Sequence, residues 1–342
     1  MASWSEFLQA SGGKQDERFG VYFSELTQEA CQLSDIALID AGHLGVISIA
    51  GPDALTFLQG QMTCDVREVT PTEFRLGAWC SAKGRVQTSF WLAQAWDQYL
   101  LIMDRSLIES IQSALKKYIL FSKASMTVRT DLISLGWVGK ADEMLQQLEL
   151  SAPESKQSVS NENSCVINLG NRYLILTPQE LAEKLWRLSA KKLGNNSWKL
   201  LDIRAGIPQI ELKTKDLFLP QNLNFDLIDG VNFKKGCYIG QEIVARLHWK
   251  GQAKNRAMHF VTSALSLEPG NLLHDVNVEG VAGRALGEVI SRAVNENNEL
   301  EFLLNVRLDQ VQNTLTISEN PSATAGLLTL PYAIPNSEAT HS

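Results

Sequence analysis

The stretch of this chain best suited to chemistry is Lys234-Lys235-Gly236-Cys237-Tyr238-Ile239-Gly240-Gln241-Glu242, continued by Ile243-Val244-Ala245-Arg246. Two glycines permit tight backbone geometry around the thiol, and the apolar pattern from Gln241 onward reads as the start of a helix. Neighbouring lysines and a helix N-terminus both favour thiolate over thiol, which makes Cys237 a candidate reactive group. A structural cysteine buried in a Gly-rich turn would fit the same residues. No general base is evident beside it, and His248 could approach only through the fold.

The motif lies in a basic island. Residues 230–260 hold Lys234, Lys235, Arg246, Lys250, Lys254 and Arg256 against Glu242, a net +5, in a chain whose net charge is -7; the remainder is therefore -12. Such an island is either a solvated face or an anion site, because local positive potential concentrates phosphates or carboxylates even on an acidic protein. Phe233, Tyr238, Trp249 and Phe260 lie within it, so an aromatic ring could be held there too, as could single-stranded nucleic acid. The acidic balance of the whole chain disfavours RNA.

Elements must position these residues. Residues 46–50 read as a strand, and Gly51-Pro52-Asp53 as the turn that opens a short helix. Strand-like segments follow at 74–80, 85–93 and 98–103, broken at Ser81-Ala82-Lys83-Gly84 and near Asp97. The spacing of Ile108, Ile111, Leu115 and Tyr118 predicts a helix over 105–118 with those four on one side. The same vocabulary returns with strands near 125–129, 132–138 and 165–176 and helices near 141–150 and 178–193. The Ser- and Asn-rich stretch 151–164 reads as a solvated loop between strands of one sheet. From about 256 the pattern changes to short strands at 258–262, 277–281, 286–290, 301–306 and 314–317, which suggests a small antiparallel barrel or sandwich. Beyond 320 the prolines suggest a surface tail.

With 342 residues, 44% of them apolar and 20% charged, the chain can bury a sizeable core in two or three domains, and disorder as its overall state is excluded. Residues 1–19 carry five charges and no unbroken apolar segment, and no run of 18 apolar residues follows. A cytosolic protein with no membrane association is expected. The five cysteines include no Cys-x-x-Cys pair, which argues against a zinc site or a self-held iron–sulfur cluster and for free thiols; no metal is expected.

Lys235-Gly236-Cys237-Tyr238-x-Gly240-Gln241-Glu242 resembles, without a gap, the signature of the YgfZ family of folate-binding proteins, relatives of the aminomethyltransferase (T-protein) of the glycine cleavage system. The resemblance extends to 51–66 (GPDALTFLQGQMTCDV), Cys80-Ser81-Ala82-Lys83-Gly84, Lys117-Tyr118-x-x-Phe121-Ser122-Lys123, Ala205-Gly206-Ile207-Pro208, Leu219-Pro220-Gln221 and Leu330-Pro331-Tyr332, and so spans about 40–332. It implies an α+β, aminomethyltransferase-like fold in which two sheet-and-helix units and a C-terminal antiparallel β-barrel surround a central channel. On that division the units are 1–125 and 126–255, the barrel 256–320 and the tail 321–342.

The resemblance also implies a tetrahydrofolate, or polyglutamylated folate, ligand and a role in assembly or repair of iron–sulfur enzymes, tRNA-modifying ones among them. The partners would be folate and iron–sulfur clients, and the chain a monomer. Cys237 would be the functional thiol. Trp198 matches a family tryptophan assigned to folate; on a helix over 197–205 it would share a face with Asp202, a stacking ring beside a carboxylate. A core Trp above a solvated Asp would fit equally. Lys235, Tyr238, Gln241, Glu242 and Arg246 complete the implied contacts, with Lys235, Arg246 and Arg256 directed to the anionic glutamate tail.

Some positions depart from the relatives. Gln87 and Thr88 replace the paired aspartates of the aminomethyltransferases, Arg204 stands where many relatives have Glu, and a second folate-associated Trp of the family aligns near Leu44. Ordinary glycine-cleavage transfer is thereby disfavoured. A one-carbon transferase acting on another amine and an RNA-binding factor are the alternative functions.

Overall fold

Short apolar runs bounded by turns become the central strands of three sheets in the computed structural model, which describes residues 2–276, 282–311, 314–316 and 324–335. The chain groups into two compact units. One comprises Met1–Gly60, Asp65–Leu76 and Phe90–Trp198, and the other Gln61–Cys64, Gly77–Ser89 and Lys199–Ser342.

In the first unit six strands run in the order Ser158–Ser160, Cys165–Asn168, Arg172–Pro178, Leu132–Val138, Ala37–Asp40 and Lys192–Leu193. All neighbours are antiparallel except the last pair. Leu132–Val138 is buried at every position, as a central strand covered on both faces must be. Leu135, Trp137 and Ile175 pack with Ala182, Leu185 and Trp186 of helix Gln179–Leu188. Burying an aliphatic side chain there contributes about 1.5–3 kcal/mol. The loop expected over 151–164 contributes the short edge strand Ser158–Ser160 to this sheet.

A second sheet has the order Arg75–Cys80, Val86–Ala95, Gln98–Asp104, Leu44–Ala50, Ser125–Val128. Its hairpin turns at Trp96 (φ +53°) and Asp97 (φ +55°), at the expected break. Helix Ile108–Ile119 buries Ile108, Ile111 and Leu115, whereas Tyr118, expected on that face, lies in the last turn and is 45% exposed. Strand Ser125–Val128, expected to open the second set of elements, instead pairs with Leu44–Ala50. Ala37–Asp40, from early in the chain, joins the other sheet. Periodicity identifies a strand, but which backbone edge it meets is settled by long-range pairing.

The C-terminal sheet of the second unit has the order Leu272–Val276, Ala282–Val294, Leu300–Arg307, Asn255–Thr262, Thr324–Leu328, Thr314–Thr316. Its end strands approach one another, so the sheet curls into a half-barrel; the buried rings of Phe260 and Phe302, on neighbouring strands, stack at 5.8 Å. The strand expected at 277–281 lies outside the described residues. Part of the expected surface tail is structural: Thr324–Leu328 pairs with Asn255–Thr262 and with Thr314–Thr316. The edge of Asn255–Thr262 would otherwise be left with open hydrogen-bonding groups. Among the described residues no helix is long and apolar enough to cross a membrane.

Candidate functional site

The Cys237 loop is assembled from three separated pieces of the second unit. The first is the turn Ser81-Ala82-Lys83-Gly84, closed by the Gly84 N–H donating to the Ser81 carbonyl at 2.8 Å. The second is the loop ahead of helix Gln241–Lys250, whose N-cap is Gly240 at φ +82°. A Cβ on Gly240 would stand 2.4 Å from the Ser81 carbonyl oxygen and 3.0 Å from Gly84 Cα, and one on Gly84 would stand 3.0 Å from Ile243 Cβ. The two glycine turns therefore sit against each other with no room for side chains.

Residues 61–64 are the third piece. The Thr63 hydroxyl donates to the Gly230 carbonyl at 2.6 Å and accepts from the Ala78 N–H at 2.8 Å, while the Asn232 N–H donates to the Thr63 carbonyl. The Asn232 side chain accepts from the N–H groups of Lys234 and Lys235 and turns the chain there. Lys235 is 5% exposed; its ammonium donates to the Met62 and Cys64 carbonyls at 2.6 and 2.7 Å and lies 5.3 Å from the Tyr238 ring centroid. An ammonium engaged by two carbonyls positions the loop and is not directed outward to a ligand tail, as had been expected of it.

On this base Cys237 is exposed, and a Cβ on the preceding Gly236 would meet nothing within 4 Å. Cys64, Cys80 and Cys165 are buried; burial pushes the Cys165 thiol up to about 12 and moves Cys80 in the same direction. A disulfide-forming aromatic reagent should therefore titrate two thiols in the native protein, Cys31 and Cys237, and all five after unfolding. A native count of two that persists in Cys237→Ala would contradict the placement. Gly240→Ala should cost about 2 kcal/mol or more, from left-handed strain and the Ser81 contact, while Gly236→Ala should be neutral. Urea denaturation midpoints check both.

Tyr238 is 6% exposed, and its hydroxyl finds no hydrogen-bond partner among the described residues. Burial, with the nearby Cys80 adding to it, raises its pKa, so the phenol remains protonated. Gln241 is half-buried, and Glu242 and Arg246 are exposed on the helix. Arg256, expected to face a ligand tail, is 7% exposed and forms a two-pronged pair with Asp226 at 2.5 and 3.0 Å. His248 stacks on Phe233 with centroids 3.6 Å apart.

Trp198 and Asp202 both lie on helix Asn195–Arg204 and lie apart from this loop in sequence. Trp198 is in the first unit and has no exposed surface; Asp202, in the second, is 3% exposed. Gln87 donates to Asp216 at 2.5 Å, and Thr88 is buried with its hydroxyl on the Ser89 carbonyl. Arg204 meets Glu301 and Glu296, and Leu44 is a core strand residue at 2% exposure. Among the described residues no three His, Cys, Asp or Glu side chains are gathered to hold a metal ion. Sequence reasoning did not foresee Thr63 or the fit of Gly84 against Gly240. In the runs 51–66 and 80–84 local pattern marks only a helix-opening turn and a strand break, and the rest was legible only as resemblance.

A family model described as the GCVT N-terminal domain matches residues 16–168. The tRNA-modifying protein YgfZ of Colwellia psychrerythraea is 34% identical over 240 residues, covering 68% of this chain and 74% of that protein. The protein of the same name from Sodalis glossinidius is 31% identical, covering 87% of this chain and 94% of its own length. The crystal structure of the glycine cleavage system aminomethyltransferase T from Bartonella henselae superposes with a TM-score of 0.78 at 16% identity over 96% of both chains, which establishes an aminomethyltransferase-like fold. Similarity of that degree, running along most of each relative, places the chain in the YgfZ family.

Proposed function

We propose that this protein is a folate-binding accessory factor that supports assembly or repair of iron–sulfur enzymes, tRNA-modifying ones among them, through Cys237. The observation that carries the reading is a solvent-exposed thiol on a loop fixed from beneath by Lys235, Thr63 and two interlocked glycines. A core cysteine needs no such mounting, whereas a thiol that must meet a client does. Thiolate is the soft ligand and nucleophile suited to iron–sulfur work, with the cluster as the client's cargo. The tRNA connection rests on the name of the relatives.

The residues of the second unit fit a reduced folate in kind. Tyr238 presents a buried hydroxyl without a partner among the described residues, Gln241 an amide, Glu242 a carboxylate for ring N–H groups and Arg246 an exposed cation for the glutamate tail. Bound tetrahydrofolate would supply a carrier for one-carbon units. Trp198 offers no open face, so stacking on it is not part of the proposal.

Calorimetric titration of the full chain with tetrahydrofolate and its polyglutamate form should give saturable heats. Arg246→Ala should weaken the polyglutamate form by up to about fivefold, and less at high salt. No binding of either form would remove folate from the reading. In cells lacking the protein, Cys237→Ser should fail to restore the dependent iron–sulfur enzymes although its melting temperature is unchanged. Full restoration would remove the thiol.

A further inference from the structure

We propose that the outer face of helix Gln241–Lys250, with Phe233, is a stacking platform for single-stranded RNA. Trp249 is 67% exposed, whereas Trp79, Trp91, Trp137, Trp186 and Trp198 are each 7% exposed or less. Phe233 and His248 lie face to face, with centroids 3.6 Å apart and planes at 10°, and Trp249 meets them edge-on at 6.5 and 4.6 Å. The three rings form one surface cluster. Helical spacing places Arg246 beside both Trp249 and Lys250.

Charge selects the occupant. Of the six cations in the basic island, Lys235 and Arg256 are buried on internal partners. Lys234, Arg246, Lys250 and Lys254 are exposed and enter no ion pair among the described residues, and Glu242 is the helix's one carboxylate. Four exposed cations without ion pairs among the described residues, Arg246 and Lys250 on the helix with Trp249 and Lys234 next to Phe233 in the chain, on a protein that is -12 elsewhere, match a polyanion that also carries planar rings. Cations alone would accept any acidic polymer, and the rings add selectivity for bases. Only unpaired bases can present their faces, so a single strand is favoured over a duplex. This inference depends on neither folate nor Cys237.

The test is fluorescence anisotropy of a short labelled single-stranded RNA of mixed sequence titrated with the full chain. Wild type should bind at low salt, with log K falling by about 0.7 per phosphate contact for each decade of salt. Trp249→Ala should weaken binding roughly 5- to 100-fold while Trp249→Phe keeps most of it, both with unchanged circular dichroism. Arg246→Ala combined with Lys250→Ala should lower the salt slope by about 1.4. The proposal is overturned if the RNA is not retained at low salt or if Trp249→Ala binds as tightly as wild type. It is equally overturned if polyglutamate or a blunt duplex competes as well as single-stranded RNA at equal charge. A folate titration that fails while RNA binding persists would overturn only the folate reading.

Discussion

Trp198→Ala is expected to lower unfolding free energy by about 3–5 kcal/mol, the cost of removing a fully buried aromatic side chain. The ring has no exposed surface. One side lies against Gly136, where an added Cβ would come within 2.5 Å of Cε3 and 2.7 Å of Cζ3; the Arg172 guanidinium lies 5.0 Å from the ring centroid. Arg172 is itself 1% exposed, so a deleted ring would leave a cavity beneath a buried cation with no means of collapsing onto it. Trp198→Phe should cost much less, about 1 kcal/mol. It keeps most of the filled volume and removes an indole N–H that has no partner among the described residues. Gly136→Ala should be destabilising because it drives a methyl group into the ring. Urea denaturation gives all three values, and tetrahydrofolate affinity should be unchanged in Trp198→Phe. An affinity loss with unchanged stability would return Trp198 to the ligand site.

Arg204→Ala is the second large effect, expected at about 3 kcal/mol because it leaves a buried carboxylate short of its main counter-charge. Glu301 has a side-chain exposure of 6% and accepts from Arg204 at 2.6 Å, and it lies 3.0 Å from His259 Nε2. Burial alone would raise its pKa, but the hydrogen bonds from His259 and Arg204 and the guanidinium charge outweigh it and hold the carboxyl at about 2. The folded value is below the ordinary 4.5, so the unfolded chain takes up the proton first as pH falls. The stabilisation from this carboxylate is therefore complete above about pH 4.5 and is lost between there and pH 2. In Arg204→Ala the folded value moves back up toward 4.5, so the acid limb should begin at the same pH, be smaller and end at higher pH. Glu296→Gln should cost less than about 1 kcal/mol, since Glu296 is 38% exposed. An acid limb identical in wild type and Arg204→Ala would show that this pair does not govern acid stability.

The candidate site was legible in unequal parts. That Gln241 begins a helix and that Cys237 precedes it follow from local pattern, and the structure has the helix at Gln241–Lys250 with the thiol exposed ahead of it. The basic island was equally plain as a count, but a count cannot tell Lys235, which is turned inward onto two carbonyls, from Arg246, which remains in water. Both are cations a few positions apart. Their difference comes from residues 61–64, which are remote in sequence and supply the carbonyls. Likewise, helical spacing correctly puts Trp198 and Asp202 on one helix, but it carries no information on what covers the ring.

By itself the sequence determined the local elements and the kinship. Apolar period selects strand or helix, turn residues mark the breaks, and the unbroken run from Lys235 to Glu242 resembles one family. Tertiary structure alone decided which strands pair, as with Ser125–Val128 beside Leu44–Ala50 and Thr324–Leu328 in the C-terminal sheet. It also decided which of the charged and aromatic residues remain available to a ligand. The physical reason is range: helix period and turn conformation are set by neighbours a few residues away, whereas burial, pairing and counter-charge are set by groups the chain brings back from far along its length.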